Sequence, residues 1–246
     1  MVTYYFGGKL MSSSNDIKKI KSELENIKIV SELNYYDNPC LVILDAVMSR
    51  SRVYEKTVVP RIKYFQLNYS YINSLEKLIA IINEVGVEQF APKYLDYRFK
   101  QLGQVLLDTA NVFNDNRLTT NDLESMKRFA SSPDYYKEIQ KVKGIGIATA
   151  RYLAILLNID TVKPDVHILK FISNALDRKV KEQEAVDLLT LVAKEMDRPV
   201  AIIDNSIWQH MSNSNNTDIK LTLQLMTLDE LIVIKEFVED LINNKS

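Results

Sequence analysis

Apolar residues recur three and four positions apart along most of this chain, and that period restricts its fold more than any other feature. Ile17, Ile20, Leu24, Ile27 and Val30 predict an amphipathic helix over 15–33, and Asn34 to Pro39 reads as a break. Residues 40–49 are nearly all apolar and suit either a buried strand or a buried helix. The pattern resumes at Tyr54, Val58 and Ile62, so a helix is expected. Further helices are expected over 74–85, ended by Gly86, over 92–113, and from a cap at 119–122 to Ala130. Others follow at about 134–142, 147–158, 164–177, 181–196 and 199–211. Residues 212–217 read as a polar linker and 227–243 as a terminal helix. Six Gly and six Pro in 246 residues are too few for the turns of a sandwich or barrel. The expected class is all-α.

Composition then narrows the functions. An apolar share of 46% can build a full core, which excludes a disordered chain. Cys40 is the one cysteine, so no internal disulfide, iron–sulfur cluster or zinc ribbon is expected. His167 and His210 are the only histidines, so a zinc site built on several histidines is not expected either. No metal ligand set is assigned. The start of the chain carries no secretory pattern and no stretch is long enough to span a bilayer, so a cytoplasmic protein without a membrane partner is expected. The net charge of −1 excludes a generally cationic coat but hides local asymmetry. Residues 48–64 carry Arg50, Arg52, Lys56, Arg61 and Lys63 against Glu55. Residues 137–151 and 163–181 are also basic, whereas 182–246 hold twelve acids and five bases. Such runs are usually solvated helix faces, and they matter for binding only if they converge in space.

The most informative segment is 137–172. Gly144-Ile145-Gly146 separates two helical patterns, with Ile139 and Val142 facing inward before it. Ala150, Leu153, Ala154 and Leu157 form a stripe after it. Two glycines let the chain turn sharply, and the following helix offers free N–H groups at 146–148 with the positive end of its dipole. That arrangement binds a phosphate oxygen, with Lys143 and Arg151 adding charge and Ile145 plugging the groove between the helices. Downstream, Pro164 suits the first turn of a helix and Asp165 its N-terminus. Taken singly, the glycine turn is an ordinary helix connection and Asp165 an ordinary cap.

Together, Gly144-Ile145-Gly146, Thr149-Ala150 and Asp165-Val166-His167-Ile168 resemble the helix-hairpin-helix DNA glycosylase superfamily, of the endonuclease III type. The stretch from Asn38 to Ser49 is similar to that family's early helix, and Ile203 to Trp208 to a late core helix. The resemblance covers about 36–211 and is specific at 141–168. It implies two helical lobes with a cleft between them, one built from 36–158 with the hairpin motif at about 134–158. The other would be built from 1–35 plus 159–246. It implies Asp165 as the catalytic carboxylate, a structural His167, and Lys143, Gly144, Ile145, Gly146, Ile147 and Ala148 as the backbone grip. A monovalent cation on the hairpin carbonyls is common in such motifs. Bifunctional members place a lysine where this chain has Ala148, so lyase activity through an imine is not expected. The four-cysteine cluster is also missing.

The implied function is base excision repair: a monofunctional DNA glycosylase, a hydrolase that flips a damaged or modified base out of double-stranded DNA. A carboxylate beside the sugar would stabilise developing positive charge and orient water. Arg50 or Arg52 would enter the duplex or hold a phosphate, an exposed basic loop being the plainer alternative. Trp208 reads as core, and a monomer is expected. The rival reading is a non-catalytic helix-hairpin-helix DNA-binding protein; a helical scaffold ranks last. The excised base is not legible.

Overall fold

The computed structural model describes residues 3–6, 9–50 and 54–225, together with Lys235 and Glu239, and side chains from residue 14 to 212 apart from 51–53. The fold is helical. Twelve α-helices among the described residues follow one short antiparallel hairpin, β1 (Thr3–Phe6) and β2 (Lys9–Ser13), which pairs Tyr5 with Leu10. The hairpin lies where no element was expected.

After α1 (Ser14–Glu25), the chain is extended where the helical pattern had promised more turns. The Val30 amide donates to Ser206 Oγ at 3.0 Å instead of to a preceding carbonyl, so a tertiary bond replaces the helical one. Asn38 caps α2 (Pro39–Met48) by accepting from the Cys40 amide at 2.8 Å, and Pro39 sits where its missing N–H costs nothing. Every residue of α2 is buried, so it is a central helix and not a strand. Burial also pushes the Cys40 thiol up to about 12, leaving it inert. Instead of continuing, α2 ends at Met48, and a π-helical turn at Tyr54–Val58 leads into α3 (Val59–Asn68).

Ser74 and Gly86 bound α4 (Leu75–Val85) as the sequence suggests. The single helix expected over 92–113 is instead two, α5 (Val87–Leu95) and α6 (Leu102–Asp115). Asp96 ends α5 in the left-handed conformation at φ 47°, which a short polar side chain tolerates. Gly103 then lets α6 lie directly against the Val87 carbonyl. Next come α7 (Asp122–Ala130), α8 (Tyr135–Ile139), α9 (Ile147–Leu156), α10 (Val166–Leu176), α11 (Glu182–Glu195) and α12 (Val200–Leu225). The expected linker at 212–217 is helical, because extending an established helix is far cheaper than starting one. The expected helix over 227–243 lies outside the described residues, save Lys235 and Glu239, whose side chains approach to 3.8 Å.

Buried side chains fall into two clusters. One runs from Cys40 to Leu157, centred on α2 packed against α6 and α9. The other joins Ile17, Ile20 and Leu24 of α1 to residues from Val162 to Met211 on α10, α11 and α12. The changeover falls in the segment between α9 and α10, which also carries Asp165. No helix among the described residues is long and apolar enough to cross a membrane.

Candidate active site

A cavity of about 490 Å³ opens where the two clusters meet. That volume suits a small organic group and its immediate surroundings. One wall is the end of α2 (Ala46, Ser49, Arg50) with Tyr54; another is Gly144 and the first turns of α9 (Ala148, Thr149, Tyr152). Opposite stand Lys163, Asp165, Val166 and His167 and, from α12, Asp204, Asn205 and Trp208.

The turn between α8 and α9 is shaped by Gly144 and Gly146. Gly144 has φ +96°, a conformation side chains rarely adopt, and a Cβ there would run into the Arg50 guanidinium. Arg50 Nη1 donates to the Gly144 carbonyl at 2.6 Å, and its Nε donates to Val47 O at 2.9 Å. Arg50 therefore ties the turn to the end of α2. Ile145 is buried in the first cluster, as its position between the glycines suggested. Gly146 caps α9 in extended conformation, and no described group accepts from the amides of Gly146, Ile147 or Ala148. Lys143 is exposed beside them.

Asp165 is the N-cap of α10. Its Oδ1 accepts from the amides of His167 at 2.9 Å and Ile168 at 3.3 Å. Its Oδ2 lies 3.6 Å from Lys163 Nζ. Capping and a place on the cavity wall are thus both true of one side chain, since a carboxylate has two oxygens. The segment carrying it is pinned at several points. The Lys163 amide donates to Asp204 Oδ1 at 2.8 Å, Ala201 N donates to Asp160 Oδ1 at 2.9 Å, and Arg151 Nη1 donates to Thr161 Oγ1 at 2.6 Å. Lys163 Nζ also rests 3.9 Å from the centre of the Tyr152 ring.

Beneath the cavity lies Asp45, 1% exposed. Its Oδ2 accepts from Tyr36 at 2.6 Å and Tyr54 at 2.7 Å; its Oδ1 accepts from Ser49 at 3.0 Å and Tyr152 at 3.2 Å. Burial, then the neighbouring Asp45 charge, raises the phenols of Tyr36, Tyr54 and Tyr152 above their ordinary range. The network holds α2, the π-helical turn and α9 in register around the site.

The fold brings together Asp165, Gly144, Ala148 and Arg50 around one cavity. Arg151 departs from expectation: its guanidinium bonds Thr161 and covers the Tyr136 ring at 5.2 Å, so it supports the segment from within. Arg52 lies outside the described residues. Trp208, expected in the core, instead lines the cavity with its ring 5.4 Å from that of Tyr54. His167 also lines it. Sequence reasoning passed over Asp45, Tyr152 and Asp204 as parts of the site. For Asp45 and Asp204 the one signal was an acid set within an apolar run, Leu-Val-Ile-Leu-Asp-Ala-Val and Ala-Ile-Ile-Asp-Asn-Ser-Ile; Tyr152 carried none. Among the described residues, no group of three or more His, Cys, Asp and Glu is arranged to hold a metal ion.

Residues 14–212 match the model of a family described as a domain of unknown function, DUF8548, and the chain belongs to that family. No curated protein matches the chain.

Proposed function

We propose that the protein is a monofunctional DNA glycosylase that hydrolyses the N-glycosidic bond of a flipped, damaged or modified base, with Asp165 as its carboxylate. The observation that carries this reading is the placement of Asp165 on a cavity whose other wall begins at a turn whose amides have no acceptor among the described residues. The amides of Gly146 to Ala148, with Lys143 beside them, suit a backbone phosphate. The nucleotide 5′ or 3′ to it, rotated out of the duplex, would enter the cavity with its base near Tyr54 and Trp208. Asp165 Oδ2 would then face the sugar, where positive charge develops as the base leaves.

Ala148 stands on the cavity wall in the slot that a bifunctional relative fills with lysine. The reading is therefore hydrolysis by water. Arg50 keeps the turn in place, and Arg52 is the residue proposed to enter the duplex. Val142 O accepts from the Ile145 amide and Gly144 O from Arg50, so a cation would have only part of the turn's carbonyls. No step here uses one.

The test is a panel of lesion-bearing duplexes. Wild type is expected to release at least one base, and Asp165→Asn to retain DNA binding while losing release by about 100-fold or more. Binding without release of any base would favour the non-catalytic DNA-binding reading. Failure to bind even at low salt, where phosphate contacts are strongest, would leave a helical scaffold.

A further inference from the structure

Asp204 is an acid on the buried side of α12, between Ile203 and Ile207, and only 7% exposed. Its Oδ1 takes the Lys163 amide, and no described group donates to its Oδ2. The side chain lines the same cavity as Asp165. The charged and titratable groups around it are Lys163 and Asp165 from the pinned segment, with His167 and, across the cavity, Arg50 and the phenols of Tyr54 and Tyr152. Burial pushes the Asp204 carboxyl up to about 8; the Lys163 amide opposes this, the like charge of Asp165 adds to it, and the Lys163 ammonium opposes it. Beside Asp165 the cavity thus holds a second carboxyl group, with one oxygen that no described group engages and a proton held more tightly than an ordinary aspartic acid holds it, as a general acid requires.

We propose that Asp204 is the acid of this site, giving its proton to the departing base while Asp165 stays the carboxylate facing the sugar. The inference rests on the glycosylase reading and adds a substrate class: bases that are uncharged while attached and so need a proton to leave. The C1′–N bond breaks with its electron pair going to the base, which takes the Asp204 proton. Water adds to C1′ and gives a proton to Asp165. Transfer of that proton through solvent to Asp204 restores both groups, and the net change is hydrolysis.

Asp204→Asn keeps an oxygen for the Lys163 amide but cannot give up a proton, so it separates chemistry from anchoring. Duplexes carrying hypoxanthine or 8-oxoguanine serve as uncharged lesions and N7-methylguanine as the cationic one. Release of the uncharged base by wild type is expected to be level below pH 8 and to fall above it. The variant should lose about 100-fold on that base together with the alkaline limb, and stay near wild type on N7-methylguanine. Carbon-13 NMR of the Asp side chains, assigned with the same variant, should show Asp204 protonated at pH 7. An ionised Asp204, or a variant equally active on both lesions, overturns the proposal. If Asp204 titrates near 8 but wild type releases neither class of base, the glycosylase premise has failed and the acid role falls with it.

Discussion

At the scale of single residues, the cavity contrasts two positions. Ala148, which the resemblance aligns with the imine-forming lysine of bifunctional glycosylases, has no amine, and Lys163 brings the one amine to the cavity wall among the described residues. Lys163 Nζ is paired with Asp165 and set over Tyr152, a placement suited to holding the carboxylate. An ammonium so engaged has no lone pair to attack a sugar. Borohydride added during reaction is therefore expected to trap no protein–DNA adduct. A trapped band that disappears in Lys163→Ala would instead identify Lys163 as a nucleophile. The identity of Asp165 as a candidate was legible in the chain because Pro164 and the apolar residues after it mark a helix start. The capping bonds on its Oδ1 were legible on the same ground, whereas the pairing of its Oδ2 with Lys163 and its place on the cavity wall were not, since they depend on where Lys163 is tethered.

At the scale of elements, α2, the π-helical turn and α9 share one buried hub. Removing the Tyr152 hydroxyl with Tyr152→Phe deletes one bond to Asp45 without opening a cavity, and should lower unfolding free energy by about 1 kcal/mol in a urea titration. The hub also sets an alkaline limit. The phenols of Tyr36, Tyr54 and Tyr152 sit above their ordinary value of 10.0, so the folded state holds these protons more tightly than the unfolded chain. Their contribution is complete below pH 10 and is lost as pH rises beyond it. Circular dichroism from pH 8 to 12 should show unfolding that begins above 10, and Tyr152→Phe should make its onset less steep. Helical spacing revealed α4, α7, α9 and α11 within a few residues, because each buries one stripe. It overran at 26–33 and 96–101, where a hydrogen bond to Ser206 and the left-handed Asp96 end the helix.

At the scale of the molecule, the net charge is −1, so any attraction to DNA, as the proposed function requires, must be local. The binding expected here uses few phosphates, with Lys143 and the turn amides among their partners. Each neutralised phosphate contributes about 0.9 to the slope of log affinity against log salt. Lys143→Ala should reduce that slope by about that amount, whichever lesion the duplex holds; an unchanged slope would remove Lys143 from the interface. The fold makes such focusing feasible, because the segment between α9 and α10 crosses from one buried cluster to the other and brings the basic turn and the acids together.

Period and punctuation along the chain determined the helical class, the turn at Gly144 to Gly146 and the position of Asp165, because each is a local property of backbone and side-chain spacing. Only the tertiary structure decided that Trp208 faces the cavity, that Arg50 and Arg151 serve the protein's own frame, and that Asp45 and Asp204 belong around one site. Those outcomes depend on groups up to about a hundred residues away supplying hydrogen bonds and excluding water, and one-dimensional spacing carries no record of such partners.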